Sequence, residues 1–144
     1  MTAPEKPTRM RASARRDGGG FKHTVQVRDH QMTVDEPLLA GGQDSGPDPQ
    51  ELLAVSLASC TAITMEMYAA RKGWDVGRVE VDVEYSPAER GCPTKFNLVI
   101  RVPDDVPEEQ VQRLCSIAAK CPVHRVLDGE VMFHEGVQRV HMAA

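Results

Sequence analysis

Hydrophobic and polar positions along this chain change period several times, and each change marks an element. Phe21, His23, Val25 and Val27 alternate with Lys22, Thr24 and Gln26, the two-residue period of a half-buried strand. Thr8 to Arg16 before it and Gln31 to Asp35 after it read as further strands. The turns Asp17-Gly18-Gly19-Gly20 and Asp29-His30 separate them, so the three form an antiparallel meander. Val79, Val81, Val83 and Tyr85 alternate with Glu80, Asp82 and Glu84, and Lys95 to Val102 repeats the pattern with Phe96, Leu98, Ile100 and Val102 on one side. The acidic outer face of the first of these strands can pair with Lys95 and Arg101 on the second.

Between the two groups of strands the period becomes helical. Asp48 is a good N-cap, Pro49 suits the first helical position, and Glu51 places a negative charge in the first turn. Arg71 and Lys72 before Gly73 supply the matching stop. Leu52, Leu53, Val55, Leu57, Ile63, Met65, Met67 and Tyr68 point in every direction around this helix, which predicts a buried, central element. Ser56, Ser59, Thr61, Thr64 and Glu66 interrupt the apolar runs well short of the roughly 20 residues a bilayer needs, which argues against a membrane span. Glu36 to Pro47 is a glycine- and proline-rich loop leading into the helix.

Pro107 opens a second helix whose Val111, Leu114, Cys115 and Ala118 form one apolar stripe. It breaks at Cys121-Pro122, a further helical turn runs from Val123 to Leu127, and Glu130 to Val140 reads as a last strand. Strands in runs with few helices predict an α+β fold with an antiparallel sheet. The 144 residues suit a single domain, 1–144, with 1–7 as a frayed end. A net charge of −4 without a basic run past the first sixteen residues makes nucleic acid a poor partner. The basic, polar start lacks the apolar stretch of a secretory signal, so a cytoplasmic location is expected.

Four cysteines, 60, 92, 115 and 121, then change the picture. In a reducing compartment such residues are more often buried, metal-bound or catalytic than stapled together. Cys60 lies mid-helix, where a thiol is also ordinary core filling, and any activation must come from a neighbouring cation or donor. Cys121 precedes Pro122, where it can cap the following turn and where free N–H groups would stabilise a thiolate; the bland alternative is an incidental kink. Cys92 and Cys115 read as structural. Cys121-x-x-His124 has ligand spacing for zinc, but four convergent ligands are not evident, and no metal is expected. No phosphate loop or dinucleotide glycine pattern is present, and no cofactor is expected.

The segment DPQELLAVSLASCTAITMEMYAARKG, followed by VEVDVEY and then CPVHRVLDGEV, resembles the osmotically inducible protein C and organic hydroperoxide resistance (OsmC/Ohr) superfamily from about Pro37 to Val137. The resemblance implies an OsmC-like fold, with antiparallel sheets around the long helix in an intertwined homodimer. It also implies a cytoplasmic antioxidant enzyme of the oxidative stress response, a thiol-dependent peroxidase acting on organic or fatty-acid hydroperoxides. Cys60 would be oxidised to a sulfenic acid and Cys121 would close a redox-active disulfide with it, reopened by a small dithiol, for which a lipoyl-type compound is a candidate. Leu57, Ile63, Met65 and Met67 would suit an alkyl peroxide. Family peroxidases hold the thiolate with an arginine oriented by a glutamate. Gln50 stands at the glutamate's usual place and Glu51 one position on, while ARRDGGG nominates Arg16, with Arg15 and Arg28 behind it. The alternatives are a small-ligand-binding or redox-sensing protein of the same fold with little turnover.

Overall fold

The computed structural model of the chain describes residues 9–142, so the expected frayed end at 1–7 and the start of the first strand at Thr8 lie outside the described residues. Strands β1 (Ser13–Arg16), β2 (His23–Val27) and β3 (His30–Val34) pair in that order as an antiparallel meander. The register sets Arg16 opposite His23 and Val25 between Ala14 and Met32. Helix α1 follows at Pro49–Lys72, then β4 (Glu80–Ser86) and β5 (Lys95–Arg101), which form a second, two-stranded sheet. Helices α2 (Glu108–Ala118) and α3 (Pro122–Leu127) complete the regular structure. The fold class is therefore α+β with a long helix, as the alternation of periods predicts.

Contacts divide the chain into two compact units. One takes in the chain up to Ser56 together with Val83–Asn97; the other takes in Leu57–Asp82 and the chain from Leu98 onward. In the first unit, the loop before α1 is organised by Asp35, which is only 2% exposed. Its Oδ1 accepts the Glu36 N–H at 2.8 Å, and its Oδ2 accepts the Ser45 hydroxyl at 2.6 Å and the Gln43 and Ser45 N–H groups at 3.2 Å. A buried carboxylate is tolerable because those donors replace water. The loop closes so tightly that a Cβ on Gly42 would strike the Glu36 carbonyl, and one on Gly46 the Thr33 carbonyl. A short 3-10 turn, Leu38–Ala40, occupies its outer edge.

In the second unit, Met65 and Ala69 of α1 pack with Val76, Val79, Val106, Leu114 and Ala118 into the core. The ends of α1 follow their sequence signals. Asp48 and Glu51 form a reciprocal capping box, Glu51 N–H to Asp48 Oδ1 at 2.8 Å and Asp48 N–H to Glu51 Oε1 at 3.0 Å. At the other end Gly73 has φ +69°, and the Trp74 and Gly73 N–H groups reach back to the Ala69 and Ala70 carbonyls, the paired closure of a Schellman stop.

Three expectations are corrected. The long helix is not buried all round: only Leu57, Thr61, Met65 and Ala69, one stripe at four-residue spacing, are buried, while Leu53, Ile63 and Met67 are exposed. By length and composition α1 could cross a bilayer, yet this stripe is packed into protein. Second, Glu130 to Val140 is not a strand; the segment pairs with no other strand among the described residues, and Val131, Met132, Phe133, Val137 and Val140 are exposed. Alternation creates a strand only where another backbone offers hydrogen bonds. Third, Cys115 leaves the core stripe of α2 for the surface, because it is turned about 100° from the buried Leu114. Of the expected cross-strand charge pairs, Arg101 to Asp82 forms at 2.6 Å, exposed and so of small energetic weight.

The Asp35 network gives an acid-stability prediction. Its bonds, the Ser45 hydroxyl first, hold the carboxyl at about 2 against an ordinary 3.8, despite burial pushing the other way. A depressed folded value stabilises the fold fully above the ordinary value, and that contribution is withdrawn as pH falls toward 2. Asp35→Asn should lower the melting temperature at neutral pH and lack this part of the acid slope in denaturant titrations from pH 5 to 2. Parallel acid slopes in the two proteins would contradict it.

Candidate active site around Cys60 and Cys121

Cys60 is placed by helix phase. It stands one residue, about 100°, round α1 from Thr61, a member of the buried stripe. Ile63 and Met67, three and seven residues on, share the face of Cys60 and are 54% and 58% exposed. The thiol is thus half-buried, at the border between the packed side of the helix and an open apolar side.

Cys121 is fully buried and is placed by a different device. Helix α2 ends at Ala118, and after a tight turn Cys121 takes an extended conformation and caps α3, with Pro122 at the first helical position. Its sulfur accepts the His124 N–H at 3.3 Å, as the motif predicts. The same sulfur lies 3.8 Å from the Thr61 hydroxyl oxygen. Thr61 has one hydroxyl proton, and it goes to the Leu57 carbonyl at 2.7 Å, the usual helical back-bond. In the thiol form it is therefore Cys121 that donates, S–H to Thr61 oxygen. Sixty positions apart in sequence, the Cys-Pro motif touches α1 at the residue next to Cys60. All four cysteines are free thiols.

The two other nominated residues are engaged locally. The Arg16 guanidinium donates to the Gly20 carbonyl at 2.8 Å through Nε and to the Gly19 carbonyl at 2.5 Å through Nη2, closing the glycine turn. The Glu51 carboxylate closes the capping box described above. Arg15 is an exposed residue of β1, and Arg28 occupies the β2–β3 turn with φ +53°. Among the described residues no group of three or more His, Cys, Asp or Glu side chains converges as a metal site. Sequence reasoning missed Thr61 as the group meeting Cys121. The available signal was a hydroxyl at four-residue spacing within Leu57, Met65 and Ala69, a polar atom on a stripe otherwise closed to water.

Comparison with known proteins agrees with this architecture. The family model described as OsmC-like protein matches residues 42–135. An uncharacterized protein of Haloferax volcanii is 24% identical over 114 residues, 78% of this chain and 83% of that protein. The crystal structure of an OsmC-like protein from Mycoplasma pneumoniae superposes with a TM-score of 0.67 at 21% identity, over 88% of this chain and 90% of that one. An organic hydroperoxide resistance protein of Bacillus subtilis does so with a TM-score of 0.58 at 23% identity, over 84% and 91%. At these identities the structural matches speak for the fold, and the family model speaks for descent across both cysteines: this chain belongs to the OsmC-like protein family.

Proposed function

We propose that the protein is a thiol peroxidase that reduces organic hydroperoxides through Cys60 and Cys121. The observation that carries this reading is the contact between the Cys121 sulfur and Thr61, which brings the second thiol to the helix residue adjoining the first. In the proposed cycle the Cys60 thiolate attacks the distal peroxide oxygen, the O–O bond breaks, and the alcohol leaves with a proton. Sulfur, having given up two electrons, becomes a sulfenic acid. The Cys121 sulfur then displaces its hydroxyl as water to form the Cys60–Cys121 disulfide. A small dithiol, of the lipoyl type, returns both thiols by two exchanges and departs as its own disulfide. Arg16 is the cation assigned to the Cys60 thiolate and Glu51 the carboxylate assigned to orient it. These roles require both side chains to give up, at least in part, their present bonds to backbone groups.

Cys60 shares its face with Ile63 and Met67, so an alkyl chain rather than a water-like peroxide suits the approach. The same exposed side chains, with the apolar 131–140 segment, are the surface proposed to be covered by a second copy in a homodimer. A reading as a small-ligand-binding or redox-sensing protein with little turnover is favoured by one observation: Arg16 and Glu51 already have partners.

Three measurements test these assignments. Cys60→Ser should abolish turnover of cumene hydroperoxide with a dithiol reductant, whereas Cys121→Ser should still consume one equivalent and accumulate a sulfenic acid that dimedone traps. Peroxide consumption that survives Cys60→Ser removes the enzyme reading. Thr61→Val takes away the acceptor that holds Cys121. Disulfide formation in stopped flow should slow about five- to tenfold, the worth of roughly one hydrogen bond, with the first oxidation step unaltered. Light scattering should give the mass of a dimer for the natural chain and of a monomer for the double variant Ile63→Glu, Met67→Glu; a monomeric natural chain would overturn the proposed assembly.

A further inference from the structure

On the packed side of α1, about two turns beyond Thr61, the end of that helix and the outer face of α2 line an open surface hollow of about 650 Å3. Tyr68 is its organising residue. The Arg113 guanidinium lies 5.5 Å from the ring centroid and the Lys72 ammonium 5.6 Å from it, so two cations share one aromatic ring. Trp74 meets the same ring edge-on at 5.7 Å.

The charge at this cavity is not balanced. Arg113 Nε donates to the Tyr68 hydroxyl at 2.8 Å, which fixes the guanidinium plane and leaves its two terminal nitrogens without a hydrogen bond among the described residues. Lys72 and Arg113 take part in no ion pair among the described residues, and neither does Glu109, the one acidic group lining the cavity. Two cations against one carboxylate leave a single positive charge. The Arg113 hydrogen bond, then the charges of Arg113 and Lys72, hold the Tyr68 hydroxyl below its ordinary 10.0 against the opposing effect of burial.

Helix phase separates this site from the exposed apolar side that Cys60 borders. Tyr68 and Lys72 follow the buried Met65 by three and seven residues, within about 60° of it round the helix, whereas Ile63 and Met67 point the other way.

We propose that this cavity binds a small planar aromatic carboxylate, with its ring against Trp74 and its carboxylate on Lys72 and the terminal nitrogens of Arg113. A guanidinium fork matches two coplanar carboxylate oxygens, the indole offers an apolar wall to a flat ring, and the surplus of one positive charge suits a monoanion. The proposal is independent of the peroxidase reading.

Trp74 is the single tryptophan of the chain, so its indole N–H gives one resolved signal in a 15N-labelled sample. The full chain is titrated with 2-naphthoate and, separately, with the neutral 2-naphthamide. The acid should shift the indole signal saturably and bind about tenfold or more tighter than the amide, a difference of about 1.4 kcal/mol. Arg113→Gln and Lys72→Gln, both surface substitutions, should each bring the two ligands to within about twofold of one another. Cys60→Ser should bind naphthoate as the natural chain does. Equal affinity for acid and amide, acid affinity unchanged in both variants, or no saturable shift would overturn the proposal.

Discussion

A 24-residue helix that carries apolar side chains on every face, only one of which the described residues cover, is the constraint from which the rest of this structure follows. Of the buried stripe, Met65 and Ala69 are closed in by Val76, Val79, Val106 and the inner side of α2, and Thr61 meets Cys121. Burial of that kind, at about 25 cal/mol per Å2, fixes the rotation of the helix about its axis. Once the rotation is fixed, so is every neighbouring position. Thr61 must face inward, and Cys60, one step round, must stand at the edge of the uncovered side. A helix with a narrow apolar stripe would have held its cysteine either in the core or in water. The surplus apolar surface is what makes a half-buried thiol beside an oily approach possible.

The second thiol is held by a different kind of interaction, directional rather than hydrophobic. Pro122 has no N–H to lose at the start of α3, so Cys121 can turn out of the helical path and cap it. Two polar contacts then fix the sulfur, one from His124 within the motif and one with Thr61 across the packed unit. The buried Thr61 hydroxyl is satisfied by the Leu57 carbonyl, so the contact with sulfur leaves no orphaned polar atom in the core. In the other unit, Asp35 does comparable work for the loop before α1. One carboxylate gathers four donors and lets a glycine-rich segment fold back closely on the strand that precedes it.

How much of this could be read beforehand differs from element to element. The strands of both sheets, the limits of α1 and the capping role of Cys121 are local. They depend on alternation, on Asp48, Pro49 and Gly73, and on a cysteine set before a proline, and each appears within a few residues of its expected place. The α2 stripe was legible at Val111, Leu114 and Ala118 but overextended to Cys115, since a period of 3.6 cannot say how wide a face the neighbours will cover. The segment from Glu130 to Val140 has the pattern of a strand and no strand to pair with among the described residues, a condition its own residues cannot report.

By itself, then, the sequence determined the family, the α+β order of elements and the two cysteines worth attention, because helix signals, turn signals and a Cys-Pro cap act over distances of four or five residues. Tertiary structure alone decided which stripe of α1 is covered, that Thr61 meets the Cys121 sulfur, and that Asp35 is the buried centre of its loop. Those outcomes depend on contacts between residues far apart in the chain, where burial and hydrogen-bond satisfaction are settled by shape rather than by spacing.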